Sequence, residues 1–219
     1  MQVWLHILVT LKRDKLTYSY NLREEFMMEY LKTDHQVDAK GLACPKPIVK
    51  TKKAMNNVNA GETIEILATD QGSKADIKAW AKSAGHQYLG TTQEDNVLKH
   101  YLRKTTEVEK EEMVFSRTID NQELTKKLLD YNTDQAILID VREQAEYVFG
   151  HIPQAISIPL GEIDNRKEEL DQDKTIYVIC RTGKRSGMAA LKLTNNGFEN
   201  VVNVKPGMSE WQGDLKSDI

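Results

Sequence analysis

Apolar side chains recur along the chain in two patterned stretches, separated by a short polar one. In the first stretch, Gln36 to Ala39 is short and extended. Ile48, Thr51, Ala54, Met55 and Val58 then fall at three- and four-residue spacing, with Lys46, Lys50 and Lys53 off that stripe, which predicts an amphipathic helix. Its start is placed at Cys44 and its end near Asn57, with Pro45 at the first helical position and Pro47 two residues on, where a proline costs no internal hydrogen bond. Glu62 to Thr69 alternates around Ile64, Ile66 and Ala68, the period of a half-buried strand. Gly72 to Ala84 is predicted helical, with Ile77, Trp80 and Ala81 inward and Gly85 as the stop. Strands are expected at His86–Thr92 and Val97–Arg103, joined through Glu94-Asp95-Asn96. The order β-α-β-α-β-β describes a two-layer α/β sandwich.

Lys104 to Met113, KTTEVEKEEM, carries no pattern for burial and is expected to be a linker. A ten-residue coil spans roughly 17 Å root-mean-square. In the second patterned stretch, AILIDV (Ala136–Val141), TIYVI (Thr175–Ile179) and Val201–Val204 are apolar, β-branched runs typical of strands covered on both faces. Helices are expected at Asp120–Asp130, Gln144–Phe149, Ile163–Leu170 and Ser186–Asn196. Alternating strands and helices imply a mostly parallel sheet with helices on both sides. The chain is thus α/β overall, with units at 36–104 and 114–219 and a linker at 105–113. Residues 1–35 are expected to be an extension, disordered in part. Translation from Met27 or Met28 is the expectation there.

Composition adds limits. The 219 residues are 40% hydrophobic with a net charge of −3, which gives no reason to expect direct nucleic-acid binding. Residues 36–104 hold eleven basic and seven acidic side chains, net +4, whereas 114–219 hold thirteen and seventeen, net −4. No run approaches the ~18 apolar residues of a membrane span. The apolar Val3–Leu11 lacks the preceding basic region and the cleavage site of an export signal. Two cysteines are too few for a disulfide-stapled secreted fold, so a cytoplasmic, reducing compartment is expected. Two distant cysteines and five scattered histidines offer no metal-ligand spacing.

Cys180 follows the strand TIYVI and opens the loop Cys180-Arg181-Thr182-Gly183-Lys184-Arg185, ahead of a helix beginning at Ser186. A loop at the carboxyl end of a parallel strand and the N-terminus of a helix turns backbone N–H groups inward and favours anions. Arg181, Lys184 and Arg185 add positive potential, and Gly183 permits backbone conformations closed to other residues. Such surroundings stabilise a thiolate, a persulfide anion or an oxyanion such as thiosulfate. The plainer alternative is a buried strand-end cysteine beside a coincidental basic loop. Asp140, Arg142, Glu146 and His151 are read as structural: an Arg142–Glu146 ion pair pinning a loop and a histidine packed at a turn.

Residues from about Ser116 to Trp211 resemble a single-domain rhodanese, through Asp140-Val141-Arg142, Glu146, Gly150-His151-Ile152-Pro153, Ala155, Ile158-Pro159, the loop CRTGKRS and Gly197-Phe198. The resemblance implies a rhodanese-like fold with Cys180 as the sulfur-accepting nucleophile, in a cradle formed by Arg181, Thr182, Gly183, Lys184, Arg185 and Ser186. Phosphatases of a related fold have a loop one residue longer, and the six residues from Cys180 to Arg185 match the sulfur-transfer length. Replacing Arg185 by alanine is expected to weaken use of thiosulfate with the fold retained.

Cys44 is placed at the N-cap of its helix, where the helix terminus, Lys46 and Lys50 would lower its pKa. An ordinary small capping residue is the alternative. Asp38-Ala39-Lys40-Gly41-Leu42-Ala43-Cys44-Pro45-Lys46-Pro47, followed by Lys50, resembles the TusA/SirA-like sulfur carriers, whose Cys-Pro-x-Pro signature opens the first helix of a β-α-β-α-β-β fold. This resemblance implies that Cys44 carries a persulfide between partner proteins. The whole chain resembles a fusion of carrier and rhodanese. It is expected to be a sulfurtransferase taking sulfur from an anionic donor (thiosulfate, polysulfide or a small persulfide) to Cys180 and on to or from Cys44. The covalent persulfide serves without a cofactor or metal, and a protein acceptor follows. Two other readings remain: a polysulfide- or redox-sensing regulator, and a donor to a biosynthetic acceptor such as a tRNA-thiolation enzyme.

Overall fold

The computed structural model describes residues 31, 33–106, 115–129 and 135–219. The expected start at Met27 or Met28, nearly all of the 1–35 extension and most of the 105–113 linker lie outside these residues. Two sheets are present among the described residues. The first is built from β1 (His35–Ala39), α1 (Lys46–Met55), β2 (Thr63–Ala68), α2 (Ser73–Ser83), β3 (Gln87–Glu94) and β4 (Val97–Arg103), with strand order β1-β2-β4-β3. β1 and β2 are parallel because α1 crosses between them; β4 runs antiparallel to both its neighbours. One face of this sheet buries Ile64, Ile66 and Leu102 against Met55 and Val58, at and just past the end of α1, and Ile77 and Ala81 of α2. His100 on the same face bonds Ser73 Oγ at 2.9 Å, tying β4 to the start of α2.

The second sheet is entirely parallel. It contains β5 (Thr118–Ile119), β6 (Ala136–Asp140), β7 (Ala155–Ser157), β8 (Thr175–Ile179) and β9 (Val201–Val204) in the order β5-β9-β8-β6-β7. The longer helices accompanying it are α3 (Asn121–Leu129), α4 (Gln144–Phe149) and α6 (Lys184–Asn195), with a short α5 (Ile163–Arg166) that continues as a 3-10 turn at Lys167–Glu169. Both sheet faces are covered, which explains the unbroken apolar runs. Ile176 and Val178 of β8 join one core with Ala189 and Leu193 of α6, while Tyr177 and Ile179 join the other with Leu124 of α3. β8 is the middle strand, so the loop that follows it emerges at the centre of the sheet's carboxyl edge. Among the described residues no helix is long and apolar enough to cross a membrane.

The outer face of the first sheet, away from α1 and α2, packs on α4. Tyr101 and Phe149 lie with ring centroids 5.5 Å apart at 56°, and Gln87 Nε2 donates to Glu146 Oε1 at 2.5 Å. Gly90 lies opposite Tyr101 in the ladder, and a Cβ there would overlap the Phe149 ring, so only glycine admits this approach.

Candidate functional site

Cys180 is 1% exposed at the end of β8. Its Sγ accepts a hydrogen bond from Gly183 N–H at 3.2 Å and one from Ser186 Oγ–H at 3.2 Å. Two donors thus converge on one sulfur, the arrangement by which a helix N-terminus receives an anion. Gly183 caps α6 with φ +87°, in the left-handed region, and its carbonyl is held by Asn203 Nδ2 of β9 at 3.0 Å. α6 begins at Lys184, two residues before the position expected from the sequence, so Arg185 and Ser186 sit in its first turn.

The other wall of the loop comes from a 3-10 turn at Gly207–Glu210. Met208 N–H donates to the Cys180 carbonyl at 2.9 Å and Ser209 N–H to the Arg181 carbonyl at 2.8 Å. Gly207 has φ +79°, and a Cβ on it would overlap the Cys180 carbonyl oxygen. Gly207→Ala is therefore expected to lower stability by about 1–3 kcal/mol and to displace the loop, which thermal unfolding together with the rate of sulfur loading would register. Neither Asn203 nor Gly207 stands out in the sequence. The Lys205-Pro206-Gly207 turn was the available signal, and Lys205 also packs its side chain near Gly183.

The polar side chains of the loop divide into two kinds. Arg181 and Thr182 are exposed and Lys184 is half-buried, so all three lie at the rim. Arg185 is 3% exposed and committed elsewhere: its Nη1 and Nη2 donate to Glu146 Oε2 and Oε1 at 2.6 and 2.9 Å. Arg185, expected among the anion-binding residues of the loop, thus directs both terminal nitrogens to a buried carboxylate. A bidentate buried partner is structural support for the loop, and its loss strands a buried carboxylate.

The expected Arg142–Glu146 ion pair is likewise replaced. Arg142 folds back on Asp140, its Nε 2.9 Å from both carboxylate oxygens and its Nη2 2.5 Å from Oδ2, while Nη2 also donates to the Gly150 carbonyl. Two-residue spacing across the strand end brings Asp140 and Arg142 together, whereas Glu146 points inward from α4 toward Arg185. His151 stacks on Tyr147 with centroids 3.7 Å apart and its Nδ1 against the Tyr147 carbonyl, a structural placement.

Cys44 is exposed and lies two residues before α1, whose cap is Pro45 and whose second residue is the buried Pro47. The N-cap position expected for Cys44 is thus corrected. Its backbone N–H donates to Asp70 Oδ2 at 3.2 Å and its thiol to Asp76 Oδ2 of α2 at 3.2 Å. The expected lowering of its pKa is also reversed. The hydrogen bond to the Asp76 carboxylate, then desolvation, then the charges of Asp76 and Asp70 push the thiol up. Lys50, expected to favour the thiolate, instead bonds the Asp38 carbonyl. Asp76→Asn is expected to raise the alkylation rate of Cys44 several-fold at neutral pH, with a lower pH midpoint, as followed by iodoacetamide labelling and peptide mapping.

Comparison with known proteins bears on both units. Residues 35–104 match the family described as Sulfurtransferase TusA, and residues 120–214 match the Rhodanese-like domain. YrkF of Bacillus subtilis, named a candidate sulfur carrier protein, is 49% identical over 178 residues, spanning 81% of this chain and 95% of that protein. YrkI of the same organism, named likewise, is 53% identical over 74 residues, 34% of this chain and 99% of its own length. A sulfurtransferase of Allochromatium vinosum is 34% identical over 93 residues, 42% of this chain and 85% of that protein. The chain belongs to the family in which a TusA sulfur-carrier domain is followed, in one polypeptide, by a rhodanese-like domain.

Proposed function

We propose that the protein is a rhodanese-type sulfurtransferase that moves sulfane sulfur through persulfides on Cys180 and Cys44, with the carrier unit at 36–104 and the rhodanese unit at 114–219. The observation that carries this reading is the pair of donors, Gly183 N–H and Ser186 Oγ–H, converging on Cys180 Sγ at the edge of the central strand. The Cys180 thiolate attacks the outer sulfur of an anionic donor such as thiosulfate. The donor's S–S bond breaks, its electron pair leaves with sulfite, and Cys180 carries the persulfide. Polysulfide or a small persulfide serves in the same way, with a shorter polysulfide or a thiolate leaving. Exposed Arg181 and half-buried Lys184 attract the anion at the rim. In the second step the Cys44 thiolate attacks the terminal sulfur, Cys180 leaves as thiolate, and the new persulfide goes to a protein acceptor. Both steps are thiol–disulfide exchange in form, need free thiols as in the cytoplasm, and require no cofactor.

The alternative, a polysulfide- or redox-sensing regulator, would use the same two thiols without turnover, and turnover with thiosulfate and cyanide separates it from a sulfurtransferase. The reading is tested by incubating the full chain and its Cys44→Ser variant with thiosulfate, then mapping peptides by mass. A sulfur-sized adduct is expected on Cys180 in both proteins and additionally on Cys44 in the wild type. Loading of Cys44 with Cys180 never modified would overturn it.

A further inference from the structure

Glu146 lies between the two domains as well as beside the site. It is a buried carboxylate, with 2% of its side chain exposed, and it is addressed from both sides. From the rhodanese side come the two hydrogen bonds of Arg185. From the carrier side come the Gln87 amide at 2.5 Å and the Arg103 guanidinium, whose Nε is 3.9 Å from Glu146 Oε2 and 3.5 Å from Glu143 Oε1. Gln87 and Arg103 are ladder partners at one end of β3 and β4, so a single sheet edge delivers both. Arg103 is itself 2% exposed, buried by this docking. On the far side, Arg185 is one residue from Ser186, which donates to Cys180 Sγ. Three contacts therefore connect the carrier sheet to the sulfur: Arg103 to Glu146, Glu146 to Arg185, and the first turn of α6 to Cys180.

We propose that the carrier domain is a positioning element of the rhodanese site: docked through Arg103, Gln87 and the Gly90–Phe149 contact, it holds Glu146 against Arg185 and so fixes the Cys180 loop for loading. The role assigned to the loop rests on Cys180 being the sulfur acceptor. Arg103 touches neither substrate nor sulfur and acts only through Glu146. The same docking places Cys44 away from the contact. Arg103 pairs with Thr63 at the start of β2, whereas the Cys44 amide is held by Asp70, beyond Ala68 at that strand's other end. Thr63 to Ala68 is roughly 17 Å at about 3.3 Å per residue. Loading thus belongs to the docked arrangement.

The test uses the full chain with Arg103→Ala, Arg103→Lys and Gly90→Leu, the last separating the domains without touching any charge. Amide hydrogen exchange is read over residues 181–187, and single-turnover loading of Cys180 is read against thiosulfate concentration. Exchange in 181–187 is expected to rise about tenfold in Arg103→Ala and Gly90→Leu, a coupling of ordinary size for residues sharing one network, and to recover in part in Arg103→Lys. The saturating loading rate should fall in parallel, with the half-saturating thiosulfate concentration little changed. Wild-type exchange at 181–187 in both Arg103→Ala and Gly90→Leu overturns the coupling, even if β3, β4 and α4 become less protected. A wild type that never loads sulfur overturns the reading of Cys180 instead, and leaves the exchange result to decide the coupling.

Discussion

Cys180→Ser is expected to abolish sulfur loading from thiosulfate at both cysteines while leaving the fold in place. The serine oxygen occupies nearly the same volume and can accept the hydrogen bonds that Gly183 N–H and Ser186 Oγ–H now give to sulfur, so the cradle has no reason to collapse. It cannot hold a transferable sulfur, because neither its nucleophilicity near neutral pH nor an O–S bond substitutes for thiolate and disulfide chemistry. Removing a nucleophile that works as part of a unit costs on the order of 10³-fold or more in rate. Cys44 faces the Asp76 carboxylate, which repels an anionic donor, whereas two donors converge on the Cys180 sulfur. Mass mapping after thiosulfate exposure should therefore find both peptides unmodified, with thermal unfolding close to wild type. An adduct arriving on Cys44 at the wild-type rate would show that the carrier loads independently.

The second large effect concerns stability. Glu146→Ala is expected to cost about 3–5 kcal/mol, the range for removing one partner of a buried charge network. The carboxylate faces Arg185, Arg142 and Arg103, so its loss leaves guanidinium charge in the interior with less to balance it. Burial alone would raise the pKa of Glu146, but the charge and hydrogen bonds of Arg185, with Arg142 and Arg103 behind it, outweigh burial and hold it at about 2 rather than the ordinary 4.5. The folded pKa is thus below the unfolded one, so the native state binds this proton less readily than the unfolded chain. By linkage, the stabilisation is complete above about pH 4.5 and is lost as pH falls from there toward 2. Denaturant unfolding at a series of pH values should show the wild type losing stability across that window. The Glu146→Ala protein should start lower and fall less steeply. Parallel curves would mean that Glu146 does not carry the acid sensitivity.

Much of this site is legible in local sequence. The β-branched run TIYVI, the cysteine directly after it, Gly183 just ahead of a helical stripe, and the Cys-Pro-x-Pro segment ahead of another stripe each specify a local conformation through backbone sterics and side-chain period. The three longer strands of the second sheet and its parallel character follow from the same local signals, because strands covered on both faces read as continuous apolar runs, whereas β5 and β7, two and three residues long, are too short to show a pattern and were not expected. Local pattern misplaced two helix starts by two residues. Cys44 lies outside α1 because the chain turns before Pro45, and α6 begins at Lys184 because Gly183 adopts a left-handed cap.

Charge partnership was decided by the tertiary structure. Arg142 was four residues from Glu146 on a helical reckoning, yet Asp140 takes it and Arg185, thirty-nine residues away, takes Glu146. Cys44 had lysines nearby in sequence, but the groups that set its proton are Asp70 and Asp76, carried in by the β2–α2 connection and by α2 itself. Arg103 reads as the last residue of a strand, and nothing around it announces a carboxylate in another domain. Hydrophobic periodicity determines which face of an element is buried. It does not determine which of several distant charged side chains will meet there, because that choice depends on how the buried faces pack and on which pairing leaves no charge uncompensated in the interior.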